Sequence, residues 1–239
     1  MSRDRSKDPP KSAAELMREL QKDPEYVARM RHRERQQQDD IAGHRRVMAP
    51  LLNELAATGF RVNSLVELRE GGANYGTAVP ILLQWLPRMS DRHAKEDIVR
   101  TLSVPWAKPA AAPALIEEFK AAIDPRSEGL GWTIANGLAV VADDSVFEEL
   151  LHLAQDKQYG KAREMLVLAL GNMKNPRAVT ALMNLLDDEQ VVGYAVMALG
   201  RLKAPAARGR LQELTQHTTE WVREEARKAL TSIEPSGTH

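Results

Sequence analysis

Three dipeptides of one kind recur at one spacing. Lys95–Glu96, Arg163–Glu164 and Arg223–Glu224 stand seven and six positions before Leu102, Leu170 and Leu230. The matching place before Leu138 holds Gly131–Trp132, with Asn136 four residues further on, and the place before Leu199 holds Val192–Gly193. Paired charges beside a tryptophan suit a binding surface, because Trp and Arg dominate the energetics of interfaces. They do not suggest a reaction. The six histidines, at 32, 44, 93, 152, 217 and 239, form no metal-ligand spacing. Asp40 and His44 share a helix face, but two ligands do not make a site. No glycine-rich phosphate loop and no Gly-x-Ser-x-Gly elbow occurs. The chain has no cysteine, so it has no thiol nucleophile, disulfide or Cys-based zinc site. No catalytic, cofactor-binding or metal-binding residue is therefore assigned. The expected contact residues are Trp132, Asn136, Arg163, Glu164, Lys95, Glu96 and Arg223, on a solvent-facing stripe. Trp132 has two readings: it folds back over a neighbouring helix, or it stands out as an anchor. Trp85 and Trp221 lie in apolar periodic stretches and read as core, while Trp106 either seals its turn or protrudes.

Two further rows of charge need elements to position them. Acidic residues recur in one set of turns: Asp91, Asp124, Asp156, and Asp187 with Asp188 and Glu189. At one per turn they read as N-terminal caps, favoured by the helix dipole, rather than as an acid–base cluster. Basic residues recur near the opposite turns: Lys108, Lys174, Arg177, Arg201, Lys203, Arg208 and Arg210. Along one edge such a row could contact phosphates. The plainer reading is that cations suit helix C-termini.

The elements follow from a repeat. "ALGNMKNPRA" and "ALGRLKAPAA" are near copies, and in both the leucine is followed twelve positions on by another, Leu170 to Leu182 and Leu199 to Leu211. Leu138 and Leu150 keep the interval; Leu102 and Leu115 exceed it by one. Pro176 and Pro205 lie six residues after their leucine, where Asp144 stands in another copy, and both types suit the first turn of a helix. Each phrase thus reads as the end of one helix, a turn, and the start of the next. The residues before the marker leucines are small (Thr101, Gly137, Ala169, Ala198 and Ala229), which lets helices of adjacent modules approach closely.

These phrases resemble HEAT repeats of the short bacterial, PBS-lyase type, over roughly residues 74–233 as five helix pairs. The resemblance implies an all-α fold: a right-handed α-solenoid of about five HEAT-like helix pairs with an N-terminal helical cap. It also implies that second helices line a concave face. Function is left open, since such repeats serve many roles. The leading expectation is a non-catalytic protein-interaction module or scaffold that binds a protein partner on that face. The alternative is a DNA-binding protein related to the HEAT-like alkylpurine glycosylases, which use aromatics and a carboxylate on a basic face. No catalytic residue of theirs can be matched here. The phycobilisome lyases share only the repeat type.

Bulk properties agree. Of 239 residues, 33 are basic and 33 acidic, which disfavours nucleic acid as partner. Only 5% are aromatic, and the apolar residues suit helices. No apolar run resembles a signal peptide or a membrane span, so the expectation is a cytoplasmic protein with no membrane contact and no cofactor. The organisation expected is a disordered tail at 1–11, an N-terminal helical region at 12–73, the repeat array at 74–233 and a disordered tail at 234–239. Within the N-terminal region Ser12 stands where a short helix should begin, "VNSLVELREG" (62–71) reads as a short helix before the array, and "EGGANYG" (70–76) reads as the loop into the array.

Overall fold

The computed structural model describes residues 12–122 and 129–233. Both predicted tails and Asp124 lie outside them. Among the described residues there are thirteen α-helices, joined by turns and short 3-10 segments, and no strand. No described helix is long and apolar enough to cross a membrane. Two compact units divide at Ala49–Pro50.

The first unit contains α1 (Ala13–Leu20) and most of α2 (Pro24–Ala57), which runs on past the division. Ser12 starts α1 through a capping box: its hydroxyl accepts from the Glu15 N–H at 3.3 Å, and Glu15 accepts from the Ser12 N–H at 3.0 Å. No residue of α1 is buried, and Leu16 and Met17 are exposed.

The second unit begins with α3 (Leu65–Glu70), capped by Ser64, and continues as five helix pairs. The pairs are α4 (Val79–Trp85) with α5 (Arg92–Leu102), α6 (Ala111–Ala121) with α7 (Leu130–Val141), α8 (Phe147–Gln155) with α9 (Arg163–Leu170), α10 (Ala178–Leu185) with α11 (Val192–Arg201), and α12 (Arg208–Leu214) with α13 (Glu220–Ile233). Within each pair the helices pack on one another. The second helices also pack in series, α3 on α5 on α7 on α9 on α11 on α13. This series is the defining contact pattern of an α-solenoid.

The marker leucines drive the stacking. Leu102, Leu138, Leu170 and Leu199 are fully buried, as are Leu115, Leu150, Leu182 and Leu211 on the first helices. Each such burial is worth about 1.5–3 kcal/mol. Leu230, in the last described pair, is only half-buried. The small residues act as predicted, and the glycines of "ALG" join them. A Cβ placed on Gly171 would lie 2.5 Å from Ala198 Cβ, and one on Gly200 would lie 3.0 Å from Ala229 Cβ. The repeated phrase thus encodes contact between the alanine of one repeat and the glycine of the repeat before it.

The junctions differ from expectation in detail. Pro205 opens a 3-10 turn ahead of α12, and Pro105, rather than Pro109, opens the turn ahead of α6. Asp144 is not the cap of its own turn. Asp143 accepts from the Ser145 N–H, while the Asp144 carboxylate accepts from the N–H groups of Lys174 and Asn175 in the next repeat, at 2.8 and 3.1 Å. A carboxylate can reach a neighbouring module's orphan donors where a proline cannot.

Candidate functional site

The face offered by the second helices holds the predicted contact residues. Its register places Glu96 on α5, Trp132 and Asn136 on α7, Arg163 and Glu164 on α9, and Arg223 on α13. The basic member of each charged pair is not a free contact group, which corrects the expected solvent-facing stripe. Arg163 is fully buried. Its guanidinium donates through Nε to the Ala154 carbonyl at 2.7 Å, through Nη1 to Gln190 Oε1 at 3.1 Å and through Nη2 to Asp188 Oδ2 at 2.5 Å. It therefore joins the C-terminal end of α8 to the turn of the following repeat. Lys95 reaches Glu118 on α6 at 2.5 Å, with both side chains mostly buried. Arg223 donates to the carbonyls of His217 and Thr218 at 2.8 and 2.9 Å. In every case the cation at this register bends toward the turn, where carbonyls and carboxylates gather, and away from the open face.

Glu164 and Glu224 lie nearer the surface than the cations before them, while Glu96 is half-buried like Lys95. Glu96 accepts from Arg92 Nε at 3.1 Å and from Arg100 Nη2 at 3.4 Å. Glu164 accepts from the Tyr194 hydroxyl of α11, whose pKa is pushed up to about 12 by burial first and then by that carboxylate. Trp132 is 44% exposed. Its carbonyl accepts from Asn136 Nδ2 at 2.8 Å, so Asn136 is turned back along its own helix. Between α5 and α9 opens a depression of about 720 Å³, lined by Trp132, Glu96 and Glu164 together with Arg92, Arg100 and Lys161. The sequence reading missed these three cations. Their signal was their place: Arg92 and Arg100 flank Glu96 at i−4 and i+4, and Lys161 stands three residues before Glu164.

Trp221 and Trp85 depart from the core positions expected of them, and Trp106 takes one of its two expected readings. Trp221 is 40% exposed, not core. It lies across α11, where a Cβ on Gly193 would come within 2.0 Å of its ring, and packs against Tyr194 at 5.1 Å between centroids. The gap in the stripe at Gly193 is thus filled by an indole from the next helix. Trp85 is half-buried, its Nε1 donating to Glu54 at 2.7 Å. Trp106 protrudes, 40% exposed, with Tyr75 edge-on at 5.2 Å.

The two charge rows resolve into structure. Asp91 caps α5 by accepting from the Ala94 N–H at 2.8 Å, and Asp156 accepts from the Gln158 N–H at 3.0 Å. Asp187 pairs with Arg210 at 2.7 Å and Glu189 with His217 at 3.3 Å. Of the basic row, Arg177 is paired with Glu148, Arg210 with Asp187 and Glu213, and Arg201 bonds Asn172. Within the basic row, Arg177 and Arg210 thus have carboxylate partners on neighbouring elements. Among the described residues no group of three or more His, Asp or Glu could hold a metal ion.

Asp188 links the site to acid stability. Burial raises its pKa, but the hydrogen bonds from Arg163 and from the Gln190 N–H outweigh burial and hold it below the ordinary aspartate value of 3.8. A carboxyl depressed in the folded state stabilises the fold above its unfolded pKa and loses that contribution as pH falls through the folded one. Asp188→Asn should therefore be less stable than the parent at neutral pH, and the difference should shrink below about pH 4. Thermal midpoints measured across pH for both proteins check this; parallel curves would remove Asp188 as the titrating group.

Residues 162–188, which span α9, α10 and the turn bearing Asp188, match the family described as PBS lyase HEAT-like repeat. The chain is a helical repeat protein in which this segment matches the HEAT-like repeat. Among solved structures it is similar to a designed armadillo repeat protein, YIII(Dq.V1)4CPAF, in complex with peptide (KR)4, at 17% identity over 83% of this chain and 94% of that one, with a TM-score of 0.48. It is also similar to the designed armadillo repeat protein YIII(Dq)4CqI, at 18% identity over 81% and 92%, with a TM-score of 0.41. No curated protein matches the chain in sequence. The matched repeat contributes Arg163 and Glu164 to the array, one turned inward and one lining the depression.

Proposed function

We propose that this HEAT-like array is a protein-interaction scaffold that binds an extended polypeptide partner across the exposed face of its second helices, with Trp132 as the anchor. The observation that supports this reading is the 44% exposure of a tryptophan beside an open depression. A large indole left in water gains most when a partner covers it, and such residues concentrate binding energy. Stacked second helices offer a long, continuous surface, and an extended chain gathers many modest contacts along it. Glu96, Glu164 and Asn136 border the anchor, while Lys95, Arg163 and Arg223 tie their own helices to neighbouring helices and turns of the array. Those three are positioning residues in this reading.

Panning a displayed random-peptide library on the parent and on Trp132→Ala tests the proposal. Enriched peptides should bind the parent and lose at least about tenfold in affinity for the variant, the effect of truncating an interface anchor. The thermal midpoint should change little, because the ring stands largely outside the core. Peptides that bind both proteins equally would remove Trp132 from the contact, and a large loss of stability would make it a packing residue.

A further inference from the structure

The first unit has almost no core of its own: among residues 12–49, Met48 alone is buried. Its long helix α2 nevertheless carries a stripe of regular period. From Val27 through Met30, Glu34, Gln37, Ile41 and His44 to Met48 the positions are alternately three and four apart, and Leu51 and Leu55 continue the series. A period of 3.5 residues is that of a coiled-coil seam, whereas a straight helix on a globular core keeps 3.6. Met48, Leu51 and Leu55 are buried. Upstream the stripe is open: Val27 and Met30 are half-buried and Ile41 is 45% exposed. Val47, on the flank of the seam, is 39% exposed. A helix in water draws most of its stability from the packing of such a face, so the upstream part of α2 calls for a cover. Charge is segregated along the same stretch. Arg29, Arg31, Arg33 and Arg35 form a basic block broken only by Glu34, and Asp39 and Asp40 follow it, all of them exposed.

We infer that residues 26–47 of α2 pair antiparallel with the same segment of a second copy of this chain, about a two-fold axis between Arg35 and Gln36. That register sets Met30 against Ile41 of the second copy and Glu34 beside Gln37, each contact occurring twice. On one flank Arg33 meets Asp40 of the second copy, and Tyr26 meets Val47. Both exposed apolar side chains of the helix thus gain an apolar neighbour, and the basic block of each copy lies along the acidic block of the other. Charge also selects the direction. In a parallel pair Glu34 would face its own copy inside the seam, and the two basic blocks would lie side by side. The flanking pair of Asp40 with Arg45 that a parallel dimer offers is a surface contact, which does not offset two carboxylates facing each other in the seam. The central Glu34–Gln37 layer lowers stability and fixes the register, as a polar seam position does in coiled coils. The paired segment is about 33 Å long. This inference is independent of the reading of the Trp132 face.

Sedimentation velocity on the full chain, from about 1 μM to about 200 μM, tests the pairing. The weight-average mass should rise from 26.6 kDa toward twice that value. Ile41→Glu, on an exposed side chain, should hold the protein at the monomer mass throughout and leave thermal unfolding of the array unchanged. Arg33→Asp and Asp40→Arg should each weaken the dimer at least about fivefold, and the two together should restore it, since the exchange rebuilds both flanking pairs. Engineered thiols report the direction, because the chain has no cysteine. Oxidation of mixed Met30→Cys and Ile41→Cys proteins should join the two kinds of chain. Ile41→Cys alone should give no crosslink, since the antiparallel register sets the two sites about 16 Å apart along the helices, too far for a disulfide. Monomer mass at every concentration, or a dimer that Ile41→Glu leaves intact, would overturn the inference. Ile41→Cys chains that crosslink to one another would overturn the antiparallel register.

Discussion

Arg163→Met is expected to lower the thermal unfolding midpoint by roughly 10 °C, the largest single effect in the array. The reason lies in what the methionine leaves behind. Arg163 is fully buried and is the shared partner of the Ala154 carbonyl, Gln190 and Asp188. Methionine fills much of the volume but donates nothing. Asp188, only 17% exposed at its side chain, is then left as a largely buried carboxylate without its cation. Breaking a buried pair from one side costs about 3–5 kcal/mol, mostly the desolvation of the survivor. That origin predicts strong coupling. Adding Asp188→Asn to Arg163→Met should cost much less than the sum of the two single changes, because the uncompensated charge is gone. Chemical denaturation of the four proteins in that cycle gives the coupling directly. If the two losses simply add, the pair is not the source of the stability.

The second large effect is expected at Gly171, the residue that ends α9. A Cβ there would lie 2.5 Å from Ala198 Cβ and 2.8 Å from Ala198 Cα. The second of these is backbone, so no rotamer change relieves it; α9 and α11 must move apart. Gly171→Val should therefore cost about 3 kcal/mol, at the upper end of overpacking. The loosened contact joins the two helices that carry Glu164 and Tyr194, so peptide affinity should fall with stability. Gly209 is the control. Nothing lies within 4 Å of a Cβ built on it, and its φ is not in the left-handed region. Gly209→Ala should gain a few tenths of a kcal/mol by narrowing the unfolded ensemble. Denaturant midpoints for both variants decide the matter: equal and small effects would mean that the packing of α9 on α11 does not depend on glycine.

How much was legible in the chain depended on whether a position answers to its own helix or to a neighbour. The two-helix modules, the marker leucines, the small residues beside them and the caps at Ser12 and Asp91 could be read directly. These follow from periodic burial and from donors that each helix leaves unpaired at its own start. The stripe of charged pairs was found in register but misjudged in exposure. Glu96 and Glu164 line the depression as expected of a surface position. Arg163, one residue earlier than Glu164, turns inward because Asp188 and Gln190 of the following repeat converge on it. Spacing along one helix does not contain that convergence.

The tryptophans divide in the same way. Apolar periodicity suggested core for Trp221, but the surface it could cover belongs to Gly193 and Tyr194, one repeat earlier in the chain, and the ring stays 40% exposed. By itself, then, the order of residues determined the helical repeat and which face of each helix is greasy, since both follow from local pattern and the removal of apolar surface from water. Only the packing of one element on another decided which polar side chains are consumed as ties and which remain to meet a partner, because choices such as that of Arg163 are made by groups 25 and 27 residues away in the chain.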